Sequence, residues 1–210
     1  MMLFFPTLTQ LRRLATDRRG LAMTEFALCL PLLAAVTFVG LENVNYAFAA
    51  QKVGDIATLS ADSISRIRVG ISEDDVTETL TGIAKLGSTL GFTANGRVIV
   101  SSIQPVLDAS GNIIDQKIRW QRCYGNLTSA TSSYGTQGQS LGTAGMGPTG
   151  RQVAAIKDNE LIFVETIYVY QPLININLFR GQRTMRMLSS MTVRERTAND
   201  LVASGTASTC

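Results

Sequence analysis

An uncharged stretch near the N-terminus constrains the possible folds of this chain more than any other sequence feature. Residues 26–41 contain no charged side chain, and Glu25 is the single charge between Leu21 and Leu41. As a helix, residues 21–41 would be about 31 Å long, close to the thickness of a bilayer's hydrocarbon core. Pro31 would break a helix in water, but it is tolerated in a membrane helix. The stretch therefore predicts a transmembrane helix over residues 21–41.

The excess positive charge of the chain lies entirely before this helix. Residues 1–20 contain four arginines and one aspartate, a net charge of +3, and the whole chain also has a formal net charge of +3. The charged side chains of residues 21–210 therefore sum to zero. Arginines before the span and none soon after it place the N-terminus in the cytoplasm and the bulk of the chain outside. The charge thus indicates membrane orientation and does not indicate a nucleic-acid partner.

Beyond the apolar segment, apolar side chains recur every three or four residues, and charged residues occupy the other positions. This spacing predicts that the helix continues as an amphipathic segment over residues 42–69. We expect its apolar stripe to pack on the chain's own outer domain, with a partner helix as the alternative. The stripe consists of Tyr46, Ala49, Val53, Ile56, Ser60, Ile64 and Ile67.

Three kinds of N-terminal processing fit the sequence. Residues 47–49 form an A-x-A site, so one alternative is a Sec-secreted periplasmic binding module cleaved after Ala49. Residues 18–19 are paired arginines before an apolar residue, but the rest of a twin-arginine signal is missing. Cleavage after Gly20 would keep the helix and make Glu25 the fifth residue of the mature chain. Its carboxylate could then meet a freed ammonium group in a low-dielectric layer, or it could simply lie at the headgroup level.

The residues around the start of the apolar segment resemble the conserved opening of TadE-family pseudopilins. These proteins belong to the tight-adherence (Tad/Flp) pilus system of bacteria. The shared pattern is a basic leader, Gly20, four mostly small or apolar residues, Glu25-Phe26 and an apolar run that contains Pro31. Polar residues and an alanine-rich helix then follow, here at residues 46–51. The later part of the chain matches only loosely, through a β-rich segment and an arginine-rich last strand.

The resemblance implies cleavage between Gly20 and Leu21 by a prepilin peptidase, with Glu25 at the position of the family's mature glutamate. It implies a minor pilin or pseudopilin that takes part in the assembly of Tad-type (type IVb) pili. The protein would cross the bacterial inner membrane once, with its C-terminal domain in the periplasm. The implied partners are the prepilin peptidase, the Flp-type major pilin, other TadE/TadF-like proteins, inner-membrane platform proteins and membrane lipid.

Residues 70–210 predict a periplasmic α+β domain. Ser72 and the acidic residues 73–75 are typical of a helix N-terminus, and the helix should end near residues 86–87. The same acids lack the ligand spacing of a calcium loop. A turn at residues 108–112 should join the first two of four strands, which are predicted at 97–103, 113–121, 160–170 and 185–196. The long helix packed on this small antiparallel sheet would be a pilin-like α+β fold.

The strand patterns also predict which faces are buried. Ile114, Ile118 and Trp120 alternate with polar residues, which predicts one apolar face. Residues 160–170 are apolar on both faces and predict a central strand. In residues 185–196, methionines alternate with arginines, which predicts a sheet with one wet face. Late arginines should lie mainly on that solvated face: Arg180, Arg183, Arg186, Arg194 and Arg196.

The remaining motifs favour a structural interpretation over catalysis. Cys123 and Cys210 should both lie in the periplasm, where disulfides persist, and we predict that they pair. Cys29 falls in the apolar span and is interpreted as a small apolar residue. Residues 125–150 predict a flexible surface loop, and the G-x-G-x-x-G at its end lacks the preceding strand of a dinucleotide site. Since the chain has no histidine and no evident catalytic constellation, we expect no enzymatic activity, metal or cofactor.

Overall fold

The computed structural model describes residues 20–68, 70–173, 183–194 and 200–210. Within the chain, contacts define two compact units, which meet between Val44 and Asn45. The predicted leader, apart from Gly20, lies outside the described residues, as do Arg180 and Arg196 from the predicted basic set.

One long helix, α1 (Leu21–Ser65), includes the predicted transmembrane segment and most of the predicted extension. Pro31 lies inside α1 without ending it. The helix stops slightly before the predicted boundary at residue 69. At this end, the Ser65 hydroxyl donates a hydrogen bond to the Asp62 carbonyl oxygen at 2.8 Å, and the Arg66 amide donates to the same oxygen at 3.2 Å. The Arg66 amide also reaches the Ser63 carbonyl oxygen at 3.3 Å, and the Ile67 amide donates to the Ile64 carbonyl oxygen at 3.5 Å, which satisfies carbonyl groups that the end of a helix leaves open.

A short strand and three short helical segments follow α1. They are β1 (Ile71–Ser72), α2 (Glu73–Ala84), a 3-10 helix (Lys85–Leu90) and α3 (Phe92–Asn95). Ser72 caps α2 as predicted, because its hydroxyl accepts a hydrogen bond from the Asp75 amide. The Asp75 carboxylate accepts one from the Ser72 amide at 2.9 Å, which completes a capping box.

Four antiparallel strands form the main sheet in the order β3-β2-β4-β5. Their bounds are Gly96–Leu107 for β2, Ile113–Tyr124 for β3, Leu161–Val169 for β4 and Thr184–Thr192 for β5. A separate pair joins β1 in parallel to β6 (Leu201–Val202). The turn between β2 and β3 is the predicted one, and Asp108 accepts hydrogen bonds from the Ser110 and Asn112 amides. Strand β4 is internal, which confirms the prediction of a central strand.

The first face of the sheet packs on the outer part of α1 and on α2. Val53, Ile56 and Ile64 of the helix are fully buried in one cluster with Val100 and Val164 of the sheet. Tyr46 and Ile67 of the predicted stripe are partly buried against this cluster. The stripe therefore packs on the chain's own domain, which was the favoured alternative.

The second face of the sheet is covered by the segment between β3 and β4. Met146 is 1% exposed and packs with Ile118 and Phe163. Part of the segment predicted as a flexible surface loop at residues 125–150 therefore also packs against the sheet. The segment has little regular structure, but its apolar side chains form a second core, so both sheet faces are covered.

Two predictions about strand faces were also wrong. Ile114 is 55% exposed, whereas Gln116 is fully buried, because the Gln116 side chain exchanges hydrogen bonds with the backbone of Ala155. The face of β5 that carries Arg186 is not simply solvated, since this arginine pairs with the fully buried Glu165. The fold as a whole is α+β, with a long apolar N-terminal helix and a small antiparallel sheet.

Candidate functional site

The predicted cleavage position lies at the first turn of α1. Gly20 immediately precedes the helix, and its carbonyl oxygen accepts a hydrogen bond from the Thr24 amide at 3.1 Å. The Thr24 hydroxyl donates to the Leu21 carbonyl oxygen at 2.8 Å. Both Gly20 and Leu21 are exposed, and a Cβ added to Gly20 would meet no atom within 4 Å. The two residues that flank this bond are therefore both exposed within the described part of the chain.

Glu25 and Phe26 lie just beyond the first turn of α1, and both are exposed. At about 1.5 Å per residue, Glu25 is about 6 Å along the helix axis from Leu21. Within the described residues, its carboxylate has no hydrogen-bond or ion-pair partner. A carboxylate this close to a helix N-terminus interacts favourably with the positive end of the helix dipole.

The first part of α1 has apolar side chains on every side. Leu28 is 79% exposed and Met23 is 75% exposed, and the residues around Pro31 are exposed as well. By length and composition, α1 could cross a membrane, although signal sequences and the core helices of soluble proteins meet the same criteria. A core helix does not explain it, because none of its most apolar window is buried. Exposed apolar surface on this scale indicates a membrane or a protein interface.

The outer unit contains a buried ion pair between α2 and β3. The Arg122 Nε atom donates to the Glu73 Oε2 atom at 2.7 Å, and a second hydrogen bond joins the Arg122 Nη2 atom to the other carboxylate oxygen. The two side chains are 11% and 8% exposed. Such a bidentate pair fixes both the position and the orientation of the two side chains. Glu73, the first acidic residue after the Ser72 cap, therefore also connects α2 to β3.

A second buried carboxylate joins three segments on the other face of the sheet. Glu165 of β4 accepts hydrogen bonds from Arg186 of β5, the Ser132 hydroxyl and the Ser133 amide. The residue is fully buried, so its charge depends on these partners. Sequence reasoning missed both ion pairs, although one acidic residue inside the apolar run 161–169 was a usable signal for a buried charge.

The C-terminal tail lies across the outer unit and is held by main-chain and covalent bonds. The Cys123 amide donates to the Ser208 carbonyl oxygen at 2.8 Å, and a disulfide joins Cys123 to Cys210. This is the pairing predicted from the sequence. The hydroxyls of Thr77 and Ser208 also share a hydrogen bond of 2.8 Å, which connects the tail to α2.

Three titratable groups of the outer unit have pKa values that hydrogen bonds or burial shift from their ordinary values. Hydrogen bonds from Asn112 lower the pKa of Asp108, which caps the hairpin turn. A hydrogen bond from Ser140 lowers the pKa of Asp115. Burial raises the pKa of Tyr168, whose hydroxyl donates to the Leu90 carbonyl oxygen at 2.8 Å. Across the described ranges, no group of three or more histidine, cysteine or acidic residues could hold a metal ion.

Searches against protein-family models, curated proteins and solved structures found no match to this chain.

Proposed function

We propose that this protein is a minor pilin or pseudopilin that takes part in the assembly of a Tad-type pilus. The observation that carries the proposal is the sequence at the start of α1. Gly20 immediately precedes the helix, Glu25-Phe26 follow one turn later, and Pro31 lies within an exposed apolar surface. This is the pattern in which the chain resembles TadE-family pseudopilins.

The first step of the proposed pathway is cleavage by a prepilin peptidase between Gly20 and Leu21. The exposure of both residues supports access of a protease to this bond. Cleavage would remove the basic leader and leave a new ammonium group at Leu21. This group would add a full positive charge to the partial positive charge of the helix N-terminus.

Glu25 would neutralise that positive charge during assembly. A charge that moves through the bilayer costs about 3 kcal/mol at its centre, and pairing with an opposite charge lowers this cost. The carboxylate has no competing partner within the described residues, so it is available to an ammonium group of its own chain or of a neighbour. In this mechanism, the pair forms as the subunit leaves the membrane and joins other subunits.

The remaining parts of the chain would have separate tasks. The apolar part of α1 would anchor the protein in the inner membrane, with the leader in the cytoplasm and residues 42–210 in the periplasm. The α+β unit presents the surface that contacts the Flp-type major pilin, other TadE/TadF-like proteins and the inner-membrane platform proteins. The protein would act through binding, with no enzymatic activity or cofactor.

The alternative of Sec cleavage after Ala49 conflicts with the packing of the outer unit. Ala49 lies inside α1 and is 0% exposed. Cleavage there would also remove Tyr46, whose ring packs edge-on against Tyr170 at 5.1 Å, and Asn45, whose amide donates to the Tyr170 hydroxyl at 2.6 Å. A released binding module would begin with these core contacts missing.

The proposal is tested by the mass of the mature N-terminal peptide in cells with and without a prepilin peptidase. We expect Leu21 as the first residue when the peptidase is present, and the uncleaved leader when it is absent. Replacement Gly20→Arg should block the cleavage. A mature chain that begins at Ala50, or cleavage that does not depend on the peptidase, would show that the proposal is wrong.

The role of Glu25 is tested by Glu25→Gln, which keeps the shape of the side chain and removes its charge. We expect normal cleavage but at least about a tenfold loss of assembled pili, because an unpaired charge costs more than 1.4 kcal/mol in the membrane. The neighbouring exposed change Thr24→Ala is the matched control and should assemble normally. Equal piliation in the two variants would contradict the role of Glu25.

A further inference from the structure

The two edges of the main sheet differ in how they are covered. At the β3 edge, the Ile118 amide donates to the Gln139 carbonyl oxygen, and the Gly138 amide donates to the Ile118 carbonyl oxygen. The Cys123 amide on the same strand bonds to Ser208 of the tail. An incoming strand would find this edge already occupied.

The opposite edge is formed by β5, which has no such cover within the described residues. Its only strand partner there is β4. Most residues of β5 are only half-buried, whereas nearly all residues of β4 are buried. At about 3.3 Å per residue, β5 offers an edge of about 30 Å. Unpaired amide and carbonyl groups on such an edge favour pairing with another chain.

Grooves flank the second half of β5 on both faces of the sheet. On the face of α1, a groove of about 720 Å³ lies between the end of the helix and Ser190–Thr192. On the other face, a groove of about 280 Å³ lies between Leu188–Ser190 and the segment around Pro148 and Val153. Successive side chains of a strand point to opposite faces, so a strand added to β5 would send its side chains alternately towards the two grooves.

Each groove has an exposed arginine among its described lining residues. In the larger groove this is Arg194, and the one acid in the described lining, Asp62, pairs with Arg66 at 2.8 Å. Arg151 is the one charged residue among those that line the smaller groove. This arrangement complements an extended segment that carries acidic side chains on both of its faces.

We propose that β5 is a docking edge for an extended acidic segment of a partner polypeptide. The segment would pair with β5 through main-chain hydrogen bonds, and acidic side chains would enter the grooves beside Arg194 and Arg151. Main-chain pairing would supply affinity, and the two grooves would supply the preference for acidic residues. This inference does not depend on the assignment to a pilus system.

The test uses the full chain in detergent micelles and a fluorescein-labelled probe, Thr-Val-Thr-Glu-Glu-Val-Thr-Val. Its adjacent glutamates would face opposite grooves. We expect saturable binding by fluorescence polarisation and slower hydrogen exchange of the β5 amides in the complex. Replacements Arg194→Glu and Arg151→Glu should each weaken binding by about fivefold or more. The control Lys85→Glu reverses an exposed charge outside the grooves and should leave binding unchanged.

Two further probes separate strand addition from general charge attraction. A peptide with both glutamates replaced by glutamine should bind at least about fivefold more weakly. A peptide with N-methyl groups on the alternate amides that face β5 should lose its binding, because these amides can no longer donate hydrogen bonds to the strand.

Several outcomes would overturn the proposal. Equal binding of peptides methylated on either set of alternate amides would exclude strand pairing, and an equal effect of Lys85→Glu would indicate non-specific attraction. Full protection of the β5 amides without the peptide would show that the edge is already paired within the chain. Protection that rises with protein concentration alone would indicate that a second copy occupies it.

Discussion

The two parts of α1 use the same kinds of residue for opposite purposes. In residues 21–44, apolar side chains cover every side of the helix and are mostly exposed, as at Val36 with 64% exposure. In residues 45–65, apolar positions recur every three or four residues, and those on one stripe are buried, as at Val53 with 0% exposure. The distribution of apolar residues around the helix, and not their number, therefore indicates what surrounds each part.

The largest expected effect comes from placing a charge in each part of α1. In Val53→Asp, an unpaired carboxylate would lie in the core, which should cost about 5 kcal/mol and unfold the outer unit. In Val36→Asp, the outer unit should keep its stability, and membrane insertion should become less favourable by about 3 kcal/mol. Limited proteolysis and carbonate extraction measure the two effects. Equal loss of folding in both variants would remove the distinction between the two parts.

Ion pairs allow the same comparison of buried and exposed surroundings within the outer unit. Arg122→Met leaves the buried Glu73 without its partner and should lower the free energy of unfolding by about 4 kcal/mol. Arg66→Met breaks an exposed pair, since the Arg66 side chain is 75% exposed, and should cost less than about 0.5 kcal/mol. Urea denaturation measures both values. A similar urea midpoint for the two variants would show that burial of the Arg122–Glu73 pair does not increase its contribution to stability.

The cysteines provide a third contrast, since Cys29 lies in the first unit and Cys210 in the second. Cys210→Ser removes a bond that joins residues 87 positions apart and should cost at most about 4.6 kcal/mol in the chain-entropy description. Cys29→Ser changes an exposed residue of the apolar helix and should leave the thermal midpoint of the outer unit unchanged. Peptide mapping without reductant should find the Cys123–Cys210 bond. Two free thiols at these positions would disprove it.

The smallest expected effect concerns Tyr168 in the core beside the helices. Because burial raises the pKa of Tyr168, the unfolded chain loses this proton first, near its ordinary value of 10.0. Stability should therefore fall as the pH rises above about 10 and should be unaffected by this group below that pH. Tyr168→Phe should cost about 1 kcal/mol at neutral pH and flatten the fall above pH 10. Denaturation at several pH values measures this, and an unchanged slope would contradict it.

The sequence was most informative where a feature depends on nearby residues. The start and apolar character of α1, the Ser72 cap and the turn at 108–112 all follow from local spacing and side-chain chemistry. The candidate site at Gly20 and Glu25 is of the same kind, since both residues lie within two turns of one helix. The placement of both residues at the start of the helix could therefore be predicted.

Features that depend on distant segments could not be predicted. The burial of Gln116 requires the backbone of Ala155 beside it, and nothing near Gln116 in the sequence indicates this. Likewise, Met146 becomes part of a core only because an irregular segment returns across the sheet. The partners of Glu165 lie on β5 and on the segment after β3, so the sheet order had to be known first.

The disulfide also determines how tension would pass through the molecule. A force applied between α1 and Cys210 would enter the sheet at Cys123 through the covalent bond. Strands β4 and β5 lie inside the closed loop between these cysteines, so they would carry none of the load along the chain. Stretching would have to act first on α1, α2, β2 and β3. Under load, β5 could therefore keep its shape while the earlier elements resist extension.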